Sequence, residues 1–140
     1  MRTIAIPFLV LAGVLSVASP AAAGGGRDAI LAELAAAARA EDPAFTGFSA
    51  QRGAAFFAAR HASGKPETPS CTTCHGPSPR AGGRTRAGKA IAPMAVSVSP
   101  ERYSDPAKTA KWFRRNCRSV LGRACTAREK GDFITFMSTQ

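Results

Sequence analysis

The chain has 140 residues, 45% of them hydrophobic, with 19 Lys and Arg against 9 Asp and Glu for a net charge of +10. That length has room for one domain, which excludes an enzyme built from several. The basic balance raises nucleic acid as a partner, but the cations are dispersed apart from Arg80, Arg84, Arg86 and Lys89.

The first segment, MRTIAIPFLVLAGVLSVASPAAA, reads as a leader peptide cut within Ala21 to Gly24, leaving residues 24–140 as the domain. Arg2 gives a positive start, Ile4 to Val17 is nearly unbroken apolar, and small residues follow. A permanent anchor would need about 20 apolar residues and a cationic stop. The run is shorter and is followed by Ala and Gly, so no permanent membrane insertion is expected. An exported protein rarely meets DNA, and no nucleic-acid role is expected.

The domain opens on DAILAELAAAARA, Asp28 to Ala40, where Ile30, Leu31, Leu34 and Ala38 recur at helical spacing until Glu41-Asp42-Pro43 ends the helix. Ser49 is the N-cap of a second helix running to about His61. Ser63 to Ser70 reads as a loop. Residues 71–75, Cys-Thr-Thr-Cys-His, then require one helical turn. Little regular structure is expected from Gly76 to Asp105, a stretch rich in Gly, Pro and Ser. Asp105 caps a third long helix with Pro106 at its first position; it carries Trp112, Phe113, Asn116 and Cys117 and stops near Gly122. Thr126 and Glu129 form a capping box for a last helix whose Phe133, Ile134, Phe136 and Met137 make an apolar face.

Two thiols separated by two residues, with a histidine directly after, form the attachment sequence of c-type haem. Cys71 and Cys74 each add across a haem vinyl group, and His75 becomes the proximal iron ligand. A redox dithiol or half a zinc site is the plainer alternative, but zinc lacks two further ligands at a plausible spacing. One covalently bound haem c is therefore expected, in an all-α, class I cytochrome c fold whose two end helices pack together over a haem edge. Export and haem together point to a bacterial periplasm. There, Cys117 and Cys125 read as a disulfide, with free thiols or a bridge to another chain as alternatives.

The sixth iron position is open between Met94, Met137, His61 and Asn116. Methionine is the usual choice for an electron carrier. Residue types alone leave Met94 ahead: Met137 reads as core, His61 as a surface residue, and Asn116 as a helix-end polar group.

The segments GKPETPSCTTCHGPSPRAGGRTRAGKAIAPMA and KWFRRNCRSVLGRACTAREKGDF closely resemble the sphaeroides haem protein family, small monohaem class I c-type cytochromes of the periplasm. The likeness runs from about Phe56 to the C-terminus. It implies thioethers at Cys71 and Cys74, His75 as proximal ligand, and a Cys117–Cys125 disulfide. It also implies Asn116 as a sixth ligand that binds ferric iron and leaves on reduction, opening ferrous iron to oxygen or nitric oxide. A dihaem cytochrome c is the electron donor the resemblance implies.

Met94 stands where the family has a non-ligating aliphatic residue. Packing in the haem crevice is the favoured reading, with competition against Asn116 the other. Trp112 and Phe113 are expected to wall the distal side, although core packing accounts for them equally well.

Three functions follow for test. The first is a haem protein that accepts electrons and binds a small diatomic, with oxygen or nitric oxide chemistry as its work. The second is a conventional electron carrier with Met94 or Asn116 bound in both redox states. The third is an enzyme such as a peroxidase, which needs a distal acid–base group that no residue evidently supplies. The positive charge suits an acidic protein partner, or only solvates the surface. A monomer is the default.

Overall fold

Local capping signals set four of the helix boundaries. In the computed structural model, which describes residues 22–140, the helices are α1 (Ala22–Glu41), α2 (Ala50–Ala58), α3 (Thr72–His75), α4 (Pro106–Leu121) and α5 (Ala127–Ser138). A two-residue antiparallel hairpin, β1 (Gly83–Arg84) with β2 (Ala90–Ile91), pairs Gly83 with Ile91 and Arg84 with Ala90. The expected leader lies outside the described residues except for Ala22 and Ala23, with which α1 begins. Among the described residues no helix is long and apolar enough to cross a membrane.

Ser49 Oγ accepts from Arg52 N–H at the start of α2, and Asp105 does the same for Lys108 N–H with Pro106 in the first turn of α4. Gly122 ends α4 in the left-handed conformation at φ 71°, which costs glycine nothing. Both halves of the Thr126–Glu129 capping box are made.

Three elements differ from expectation. Helix α2 ends at Ala58, short of the expected His61, where Ala59 turns extended. Helix α1 starts before Asp28, running through Gly24, Gly25 and Gly26 despite their poor propensity. Tertiary contacts hold that end: the Arg27 guanidinium donates to the Arg102 carbonyl at 3.0 Å and to that of Pro100, and Gly26 lies against the Ser104 carbonyl. The expected irregular stretch after Gly76 contains the small hairpin, and its backbone is otherwise tied to distant groups. Met94 and Ala95 N–H both donate to Pro79 O, and Val96 N–H donates to Met137 O in α5.

The end helices α1 and α5 do pack together, but the more extensive contact of α5 is with α2. Gly53 allows that approach, Gly131 makes room for the Phe48 ring just before α2, and a buried carboxylate fixes the pair. Asp132 Oδ1 accepts from Ser49 N–H at 2.6 Å, while Arg52 donates to both Asp132 oxygens at 2.7 and 2.8 Å. The main core is Ile30, Phe57, Met94, Phe133, Ile134 and Met137. Phe133 sits at its centre, meeting Tyr103 and Phe113 edge-on at ring distances of 6.0 and 5.5 Å.

Candidate functional site

The attachment turn is built by its own backbone. Ser70 Oγ accepts from Thr72 N–H, His75 N–H donates to Cys71 O, and Gly76 N–H to Thr72 O. One turn therefore carries Cys71, Cys74 and His75, spaced so that all three share a face. Cys71 and Cys74 form no disulfide, whereas Cys117 and Cys125 are joined, with Cα atoms 5.6 Å apart. Burial pushes the Cys71 thiol up to about 11, so it is a neutral thiol in the polypeptide.

The hairpin lies flush on this turn. A Cβ on Gly83 would come within 2.2 Å of the Cys74 carbonyl oxygen and 2.9 Å of His75 Cα, so only glycine permits the approach. Between turn and hairpin runs an open cleft of ≈ 520 Å³, lined by Thr73, Cys74, Gly76, Gly83, Arg84 and Ile91.

His75 is half-buried, and its Nδ1 is enclosed without a hydrogen-bond partner. Burial first, and the Arg102 cation second, hold its pKa below the ordinary histidine value. The imidazole is thus kept neutral, the form in which it ligates a metal. Two thiols at this spacing beside a neutral, enclosed imidazole are the donor set that covalent haem requires.

The remaining residues divide between the two flanks of α4. Asn116 and Trp112 share one exposed face a turn apart, Trp112 being 45% exposed with Lys111 and Arg115 at 5.9 and 5.3 Å from its ring. Phe113, expected to wall the same side as Trp112, instead turns inward onto Phe133. Cys117, next to Asn116, is buried with Val120, Leu121 and Cys125. The disulfide thus ties the turn that carries Asn116 to the segment leading into α5.

Met94 is only 7% exposed and belongs to the main core, against which Cys71 and Phe113 also pack. Its backbone is held at both ends, N–H to Pro79 O at 2.8 Å and C=O from the Tyr103 hydroxyl at 3.1 Å. Met137 is fully buried in the same core. His61 is not the surface residue its type suggested: it is half-buried beside Phe56, and its Nε2 has no partner. Sequence reasoning passed over Tyr103, Arg102 and Gly83. Tyr103 adopts φ 61°, rare for a bulky residue, and no local signal marks it.

Residues 43–137 match the family model described as a domain of unknown function, DUF1924. The chain is 48% identical over 134 residues to the cytochrome c-type protein SHP of Cereibacter sphaeroides, covering 95% of this chain and 98% of that protein. It is 29% identical over 104 residues to cytochrome c'' of Methylophilus methylotrophus, 74% of this chain and 72% of that one. Among solved structures, oxidised SHP, described as an oxygen-binding cytochrome c, superposes with a TM-score of 0.75 at 44% identity, covering 81% of this chain and 96% of that one. Oxidised cytochrome c'' does so with a TM-score of 0.72 at 26% identity, covering 83% and 95%. A solution structure of cytochrome c'', described as bearing on haem-ligand detachment, gives a TM-score of 0.71 at 26% identity, covering 83% and 94%.

Proposed function

The chain belongs to the family of the cytochrome c-type protein SHP and shares its class I cytochrome c fold. From that premise we propose that it is a periplasmic haem c protein that accepts electrons and binds a small diatomic, oxygen or nitric oxide, in its reduced state. The observation that carries this reading is the near full-length match to SHP, whose solved structure is described as that of an oxygen-binding cytochrome c.

Cys71 and Cys74 would hold the macrocycle and His75 would supply a ligating nitrogen. When bound, the haem provides a one-electron couple and an iron able to take a sixth ligand. Asn116 would supply that ligand to ferric iron. Its amide oxygen is a hard, weak donor, better matched to the ferric than to the ferrous state, so its hold on the iron would weaken on reduction. The adjoining disulfide limits how far the turn carrying Asn116 moves. Trp112, on the same face, would lie beside Asn116. Met94, already committed to the core, contributes packing rather than a ligand.

The electron donor is a dihaem cytochrome c in this proposal, and the protein acts as a monomer, exported by the leader at residues 1–23. The net charge of +10 favours an acidic docking face on that donor.

The competing account is a conventional carrier with Met94 or Asn116 bound in both redox states. The visible spectrum of the dithionite-reduced protein separates the two. The proposal expects a broad, featureless high-spin band that sharpens on adding carbon monoxide. Sharp α and β bands before the gas is added, with no uptake, would support the carrier.

A further inference from the structure

On the flank of α4 opposite Asn116, a recess of ≈ 270 Å³ opens between α4 and the start of α5. Its lining is Phe113, Arg114, Arg118, Ala124, Cys125 and Lys130. Phe113, Ala124 and Cys125 give it an apolar lining, and three cations stand around it.

None of those cations has an anionic partner among the described residues. The nearby carboxylates are spent elsewhere: Glu129 on Arg123, and Asp132 on Arg52. Helix α4, PAKTAKWFRRNCRSVL, contains no acidic residue. Arg114 and Arg118 are one turn apart, a spacing at which like charges repel and cost a helix a few tenths of a kcal/mol. The cost is removed when an anion sits between them.

We propose that this recess binds a small organic carboxylate, its charge held by Arg114, Arg118 and Lys130 and its apolar body laid on Phe113 and Cys125. Arginine suits the task because its planar fork pairs with a carboxylate through two parallel hydrogen bonds. The volume is at the small end of ligand sites, enough for a single ring or short chain. A bare oxyanion would leave the apolar lining unused. Arg114 and Arg118 lie across the helix from Asn116, so an anion between them is held apart from the residue proposed to ligate iron.

The test is isothermal titration calorimetry on the ferric holoprotein with benzoate, inorganic phosphate and benzyl alcohol, while the Soret band is recorded. Benzoate should bind saturably at one site, more tightly than either other probe, with the Soret band unmoved. Arg114→Gln and Arg118→Gln, both at exposed positions, should each weaken it about ten-fold, one charge-assisted pair's worth. Arg115→Gln, on the Trp112 side, should leave it unchanged. Phosphate binding as tightly as benzoate would overturn the assignment, since the apolar lining would then contribute nothing. Equal weakening by Arg115→Gln would reduce the effect to general charge. A Soret shift on adding benzoate would place the carboxylate at the haem.

Discussion

Gly53 of α2 lies directly on the backbone of Asp132 in α5: a Cβ at position 53 would sit 2.1 Å from the Asp132 carbonyl oxygen. The obstacle is backbone, and Phe136 Cβ closes the other side at 2.8 Å, so the helices would have to separate. Gly53→Ala gains about 1 kcal/mol of helix propensity but incurs about 3 kcal/mol of overpacking. A net loss of about 2 kcal/mol is expected in denaturant unfolding. Gly131→Ala meets the Phe48 ring first, a side chain rather than backbone, and should cost less. Equal costs for the two would show that the α2–α5 spacing is not set at Gly53.

Asp132 itself is 4% exposed and answers both Ser49 N–H and Arg52. Asp132→Asn replaces one acceptor oxygen with a donor facing other donors. Hydrogen bonds to a charged group contribute about 1.5–3 kcal/mol, so a loss near the top of that range is expected. Arg52→Gln should cost about 1 kcal/mol or less, because that side chain is 51% exposed. Unfolding midpoints of the two variants test the ordering.

Acid sensitivity should appear at the start of α5. The Arg123 side-chain hydrogen bond, with Thr126 N–H assisting, holds Glu129 below its ordinary value of 4.5. A depressed carboxylate pKa contributes stability that is present above the unfolded value and is lost as pH falls through the folded one. Wild type should therefore lose stability from about pH 5 downward more steeply than Glu129→Gln. Parallel pH profiles for the two proteins would remove this ion pair from the account.

Much of this was legible in the sequence because it is local. The N-caps at Ser49 and Asp105, the stop at Gly122 and the Thr126–Glu129 box each depend on residues within one turn, and all four are present. The all-α class and the Cys117–Cys125 disulfide follow from patterns of the same kind. What stayed hidden depends on distant partners. The early start of α1 rests on Arg27 reaching residues 100 and 102. Residue type put Met94 ahead as a ligand and resemblance favoured packing; its place in the core, with Pro79 and Tyr103 holding its backbone, rests on distant residues. The outward turn of Trp112 and the inward turn of Phe113 were readable, since consecutive helical residues point about 100° apart, but grouping them by chemistry obscured it.

The central claim is that Asn116 serves the ferric iron and is released on reduction. The most direct measurement is the visible spectrum of wild type, Asn116→Ala and Met94→Leu, each ferric and dithionite-reduced. The account predicts that Asn116→Ala changes the ferric spectrum and leaves the reduced one as in wild type, with Met94→Leu changing neither. A low-spin reduced wild type that only Met94→Leu converts to high-spin would contradict it and make the protein an ordinary electron carrier.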